Sequence, residues 1–348
     1  MSVEVNNFLS RFMRDENLSR AEASQLLSWL LDGTATDAQI AATLIALKRK
    51  GETVEELAGL AEGMRARATR INSVQQRFID TAGTGSSAAK TFNVSTAAAF
   101  VIAGAGLPVA KHGNRAASSK CGSADVLSEL GVNVSADVSV SEECLNNLGI
   151  CFMFAPLYHS ATARVAAIRR ELGVQTTFNL LGPLTNPAGA PRQIIGVWTS
   201  ELLEPMAKTL ALLGTERAWV VHGADGLDEI TLGDRTFVAE AANGNVRIFE
   251  IAPEAFGLSR SDLAALRCND AITSAAIVKS VLNGERRDAA RDLVVANAAA
   301  ALTVGGAADD LRDGARLAEQ SIDDGRAMAK LEGLVRATSA VDVIATEK

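Results

Sequence analysis

From Phe78 onward the sequence alternates short β-rich runs with alanine-rich helical runs, and no other feature limits the available folds as strongly. Residues 108–110, 194–198, 219–221 and 246–249 have the branched and aromatic character of strands, while 95–105, 123–130 and 201–213 repeat apolar residues at helical spacing. Alternation of this kind predicts an α/β domain with a mostly parallel central sheet flanked by helices, because parallel neighbours need a crossover between them. Residues 283–305 and 312–334 read as two long helices that close the chain. Aromatic residues make up only 4% of the 348, so the core must rest on alanine, leucine, valine and isoleucine.

The chain before Phe78 has a different character. Three segments open with a capping box, in which a hydroxyl caps a helix and an acid or amide three residues on answers it: Ser19 with Glu22, Thr36 with Gln39, and Thr53 with Glu56. Behind them Leu26, Leu27 and Leu30, then Ile40, Leu44 and Leu47, then Leu57, Leu60 and Met64 form apolar stripes that need partner helices. The predicted division is a small helical domain over 1–72, with added helices from about 160–190, and an α/β domain over 73–348. The segment 161–181 reads as helical and is placed against the first bundle.

Four segments have the composition of a ligand site. Between Asp80 and Thr96 an apolar lead-in gives way to a loop of small residues, and a helix begins near Ser95. Gly83 and Gly85 would let the backbone approach an anion that the helix N-terminus also attracts; a plain strand-to-helix turn fits this segment equally well. Between Lys111 and Ser123, three cations (Lys111, Arg115, Lys120) share a short stretch with serine hydroxyls, which favours a polyphosphate site over a solvated loop. From His222, a run ending in Asp228 and Glu229 follows a β-like stretch, where α/β ligand sites cluster. Paired carboxylates suit Mg²⁺, although for this run alone an acidic surface turn is the simpler reading. Between His159 and Pro187 a helix carrying Arg169 runs into a Gly182-Pro183 turn; an arginine there could fork onto a carboxylate, and by itself it reads more simply as a solvated helix residue. None of His112, His159 and His222 is assigned as a catalytic base or metal ligand.

Together these segments resemble the anthranilate phosphoribosyltransferase family. The resemblance rests on G-T-G at 83–85, T-F-N-V-S-T at 91–96, K-H-G-N-R at 111–115, F-N-L-L-G-P-L-T-N-P at 178–187 and H-G-A-D-G-L-D-E at 222–229, in family order. The N-terminal helices and the closing segments at 290–302 and 329–334 extend it over nearly the whole chain. It implies a helical domain joined to an α/β domain of the nucleoside phosphorylase and phosphoribosyltransferase type, usually as a homodimer. It implies that phosphoribosyl diphosphate lies on Gly83, Ser86, Ser87, Thr91, Asn93, Val94, Ser95 and Thr96, on Lys111, His112, Gly113, Asn114, Arg115, Ala116, Ala117, Ser118 and Ser119, and on Ser123. It implies Mg²⁺ on Ser95, Asp228 and Glu229, and anthranilate near Gly83, Asn114, Arg169, Gly182 and Pro183. Lys111 and Arg169 are the implied catalytic residues. The chain departs from the family pattern where G-T-G-G-D is usual: Ser86 and Ser87 replace a glycine and a carboxylate, removing one negative charge beside the diphosphate. Ser160 stands where a proline is usual.

The same fold would also serve a pyrimidine nucleoside phosphorylase, or transfer to another aromatic amine. A nucleic-acid-binding homologue is disfavoured by the net charge of −7. Cys121, Cys144, Cys151 and Cys268 form no C-x-x-C pair and read as reduced thiols. No signal peptide is visible, and the most apolar stretch, 94–110, is too short and interrupted to span a bilayer, so a cytoplasmic enzyme is expected.

Overall fold

Each of the three capping boxes forms, and each starts a helix. In this computed structural model, which describes residues 2–85, 89, 91–115 and 121–339 (side chains from residue 5), the chain opens with α1 (Ser2–Phe12), α2 (Arg20–Leu31), α3 (Asp37–Lys50) and α4 (Val54–Arg65). The hydroxyls of Ser19, Thr36 and Thr53 accept the third backbone N–H of α2, α3 and α4, and Glu22, Gln39 and Glu56 accept in return from the cap N–H. Glu56 does more than cap. It is fully buried and also accepts from the Leu18 N–H at 2.9 Å and the Lys50 ammonium at 2.8 Å, which ties the loops before α2 and α4 together. A buried carboxylate is tolerated here because its hydrogen-bonding capacity is filled.

The described strands form one sheet of seven: β1 (Ile79–Gly83), β2 (Val109–Gly113), β3 (Ile150–Phe154), β4 (Arg192–Gly196), β5 (Arg217–Gly223), β6 (Thr236–Ala242) and β7 (Asn245–Ile251), in spatial order β3-β2-β1-β4-β5-β6-β7. The first five run parallel to one another, and β6 and β7 complete the sheet antiparallel. The mostly parallel sheet is therefore as predicted. Three of its strands were not named in advance: β1 lay in the apolar lead-in to the first site segment, while β3 is apolar throughout and β6 is alanine-rich, so neither of these two shows the alternation that marks a half-buried strand.

The sheet's two faces feed two hydrophobic clusters, and alternate residues choose between them. Ile194, Trp219 and Val221 face one cluster, and Ile195, Ala218 and Val220 the other, as the two-residue repeat of a strand requires. The first cluster contains α5 (Val94–Gly104), which follows β1, and α6 (Ser123–Glu129) and α7 (Val138–Glu143), which follow β2. After β3 the chain runs through α8 (Ala155–Tyr158), α9 (Ala163–Leu172) and α10 (Phe178–Leu184), and after β4 through α11 (Leu203–Leu212). The helices α9, α10 and α11 join the N-terminal helices in the second cluster. The predicted helix at 161–181 is broken at Gly173, whose φ of 65° ends α9, and Gly182 and Pro183 lie inside α10 and not in a turn after it.

The C-terminal region also differs from expectation. It holds α12 (Ala271–Leu282), α13 (Ala289–Gly305), α14 (Leu311–Asp323) and α15 (Arg326–Ser339). Asn283, expected to start a long helix, caps the end of α12. The helix expected over 312–334 is interrupted at Gly325, whose φ of 71° separates α14 from α15. A hydrophobic repeat that continues across one glycine conceals such a break.

Candidate active site

β1 and β4 lie side by side with Gly83 opposite Gly196, and the helices that follow them, α5 and α11, pack on opposite faces of the sheet. The carboxyl edge between two such strands opens into a crevice, the usual ligand site of an open α/β sheet. A cavity of about 660 Å³ occupies it. Glycine at 196 makes it possible for the loop after β5 to reach the cavity: a Cβ there would stand 1.7 Å from the carbonyl oxygen of Asp228.

The cavity wall brings together Gly83, Thr91, Asn93, Ser95, Lys111, His112, Gly113, Asn114, Arg115, Ser123, Arg169, Gly182, Pro183, Asp228 and Glu229. Val94 and Thr96 do not line it, since both are fully buried in the first turn of α5. Ser86, Ser87, Ala116, Ala117, Ser118 and Ser119 lie outside the described residues, as does Lys120. The wall also includes residues that sequence reasoning left without a role, among them Phe178, Asn179, Cys121 and Cys268.

The anionic and cationic groups are interlocked at the strand ends. Lys111 on β2 is buried and donates to the Thr81 carbonyl at 2.5 Å and to the Ser95 hydroxyl at 3.4 Å. Beneath it Asp80 is fully buried, accepting from the His112 N–H at 3.2 Å and from the Asn186 amide at 2.7 Å. Burial pushes the Asp80 carboxyl up to about 6, against the pull of Lys111 and its hydrogen bonds. Burial likewise lowers the Lys111 ammonium, with Asp80 and Glu229 opposing that shift. Glu229 is raised to about 8, first by lost hydration and then by its neighbour Asp228; Lys111 and the Ser95 backbone N–H work the other way. A carboxylate inside the apolar run from Phe78 was the available signal for Asp80, because buried acids are rare unless paired.

Ser95, Asp228 and Glu229 present hard oxygen donors, and the strain between two adjacent carboxylates is what a divalent cation relieves; the set fits Mg²⁺. Among the described residues no cluster of three or more His, Cys, Asp or Glu side chains could hold an ion by itself. Such a cation would therefore need oxygens from water or from a phosphate ligand, the usual habit of Mg²⁺.

Arg169 on α9 forms another part of the wall. Its Nη2 donates to the Asn179 side-chain oxygen at 3.0 Å, and the guanidinium lies 5.5 Å from the Phe178 ring centroid. Among the described residues it makes no ion pair, and its Nε is buried without a partner. Next to it, the His112 Nδ1–H donates to the Gly182 carbonyl at 3.2 Å, leaving Nε2 buried and unpartnered among the described residues. His112 is held neutral, its value driven down to about 3 by burial and then by His159, whose ring centroid is 5.1 Å away. Arg115 is committed elsewhere, to Asp125 at 2.8 Å and over the Phe154 ring. No helix among the described residues is long and apolar enough to cross a membrane.

Both parts of the chain match a glycosyl transferase family: its α/β domain matches residues 75–328, and its helical bundle domain matches residues 6–68. The chain belongs to the anthranilate phosphoribosyltransferases. It is 52% identical over 335 residues to the anthranilate phosphoribosyltransferase of Anaeromyxobacter dehalogenans, covering 96% of this chain and 99% of that protein. It is 49% identical over 334 residues to that of Pelotomaculum thermopropionicum, covering 96% of both. The crystal structure of the Thermus thermophilus enzyme superposes with a TM-score of 0.89 at 38% identity, covering 95% of this chain and 99% of that one. The Saccharomyces cerevisiae enzyme, solved in complex with phosphoribosyl diphosphate (PRPP) and Mg, superposes with a TM-score of 0.89 at 26% identity, covering 98% of this chain and 99% of that one.

Proposed function

We propose that the protein transfers the 5-phosphoribosyl group of 5-phosphoribosyl-1-diphosphate to the amine of anthranilate, giving N-(5-phosphoribosyl)anthranilate and diphosphate in tryptophan biosynthesis. The observation that carries this reading is the pairing, in one cavity, of an anion-binding wall with an arginine that has no acidic partner among the described residues. The donor lies along Gly83, Thr91, Asn93, Ser95 and the 111–123 segment, with Lys111 and the N-terminus of α5 facing its phosphates. Ser95, Asp228 and Glu229 would hold Mg²⁺, which when bound neutralises diphosphate oxygens. The acceptor lies near Gly83, Asn114, Gly182 and Pro183, with its carboxylate on Arg169.

In this reading the bond between ribose C1 and the diphosphate oxygen breaks as the bond from C1 to the amine nitrogen forms. Lys111 offsets the negative charge growing on the leaving group. Arg169 and Asn114 align the amine, a weak base for which positioning matters more than deprotonation by the protein. The amine proton passes to water or diphosphate once the C–N bond has formed. Homodimeric assembly and a cytoplasmic location complete the proposal, and sedimentation and cell fractionation test them.

The experiment is the loss of anthranilate fluorescence with purified protein, donor and Mg²⁺, with controls lacking the donor. Loss that depends on both is expected. No loss from folded protein that still binds the donor would refute the reading and direct attention to Ser86 and Ser87.

A further inference from the structure

Arg169 is a cation in an unusual position. It lines the cavity, it is partly desolvated, and the groups it contacts are neutral: the Phe178 ring and the side-chain oxygen of Asn179. Burial lowers its guanidinium, and no charge among the described residues opposes that shift. Three part-buried arginines elsewhere in this chain find acids: Arg11 reaches Glu22, Arg20 reaches Glu62, and Arg291 reaches Asp323. At Arg169 an amide occupies the place of an acid.

That amide is itself fixed. The Asn179 oxygen accepts from the Thr176 backbone N–H at 3.0 Å as well as from Arg169 at 3.0 Å. Thr177, the next residue, donates its hydroxyl to Glu52 at 2.6 Å, which anchors the start of α10 to the turn between α3 and α4. The oxygen that meets Arg169 is thus held by the backbone of the turn, and it orients the guanidinium without supplying charge.

We propose that Asn179 is a specificity-determining positioning residue: its neutral oxygen aims Arg169 into the cavity while leaving the guanidinium's charge uncompensated, so that the counter-ion must arrive as the carboxylate of the acceptor. This rests on the reading of Arg169 as the carboxylate partner. An aspartate at this position would fit the same space and accept the same two hydrogen bonds, but would neutralise Arg169 before the acceptor binds. Selectivity would then shift away from carboxylate-bearing amines, since an arginine already paired with an acid gains little from a second one.

The test uses the full chain and compares Asn179→Asp, Asn179→Ala and Arg169→Ala with the unaltered protein. The readouts are the KM for anthranilate, the KM for the donor, and the competitive inhibition constant of aniline, which lacks the carboxylate. Asn179→Asp is expected to raise the anthranilate KM at least about tenfold, the scale of a charged hydrogen bond, while the donor KM and the aniline constant stay within about twofold. Asn179→Ala, which loosens Arg169 but keeps its charge, is expected to give a smaller rise. Equal effects of the Asp and Ala variants, or a parallel loss for aniline, would reduce Asn179 to a packing role and overturn the proposal. If Arg169→Ala weakens anthranilate and aniline alike, the carboxylate reading of Arg169 falls, and the proposal with it. Discrimination lost in Arg169→Ala but kept in Asn179→Asp would sink the proposal alone.

Discussion

The Lys111 ammonium stands 3.4 Å from the Ser95 hydroxyl and 2.5 Å from the Thr81 carbonyl, so one side chain of β2 bridges the end of β1 and the first turn of α5. Three consecutive elements, β1, α5 and β2, meet at this cation. Behind it, Asp80 is a buried counter-charge that also holds the His112 N–H and Asn186.

Removing the cation tests this arrangement. Lys111→Gln leaves Asp80 buried without its compensating charge. Turnover is expected to fall at least about a hundredfold, as when a group facing developing negative charge is lost. Stability is expected to fall by about 3 kcal/mol, because breaking a buried pair strands its partner. The double variant Lys111→Gln with Asp80→Asn should regain most of the stability and none of the activity. Denaturant unfolding and steady-state rates on the unaltered protein, the two single variants and the double variant check this; additive stability losses would show that the two residues are not coupled.

Glu229 and Asp228 crowd two carboxylates at the cavity, and lost hydration opposes the charged form of Glu229. Glu229→Gln removes that strain. Without Mg²⁺ the variant should melt no lower than the unaltered protein. Added Mg²⁺ with diphosphate should raise the Tm of the unaltered protein and not that of the variant, and metal-dependent turnover should drop. An equal rise in Tm for both proteins would remove Glu229 from the metal site.

His159 gives a pH dependence of defined sign. Its Nε2–H donates to the Thr185 carbonyl at 3.1 Å, and burial lowers its value from 6.5 to about 4. Below pH 6.5 the unfolded chain takes up a proton that the folded protein refuses until about pH 4. The contribution of the neutral ring is therefore full above pH 6.5 and is lost as the pH falls toward 4, by about 1.4 kcal/mol per unit. The stability difference between the unaltered protein and His159→Gln, measured at pH 7.5 and at 5.5, should shrink by about that much. A constant difference would mean that the ring titrates normally.

The parts of the fold that depend on short-range chemistry were legible in the chain. The capping boxes at Ser19, Thr36 and Thr53 form because a hydroxyl and an acid or amide three residues apart reach the same helix end whatever surrounds them. The alternation after Phe78 announced the parallel sheet for a similar reason. β3 and β6 escaped notice because strands covered on both faces lose the polar alternation that marks them. The breaks at Gly173 and Gly325 escaped because the apolar repeat runs across them.

The chain by itself determined which chemical groups the site contains: Lys111, Arg169, Ser95 and the Asp228–Glu229 pair all stand in recognisable segments and all reach one cavity. Only the tertiary structure decided what charge each of them meets. That Asp80 lies beneath Lys111, that Glu229 reaches the first turn of α5, and that Arg169 faces an amide and not an acid are consequences of strand order and helix packing. Hydration and neighbouring charges are set by distance in space, and residues as far apart in sequence as Ser95 and Glu229 become neighbours when β1, β4 and the loop after β5 converge at one edge of the sheet.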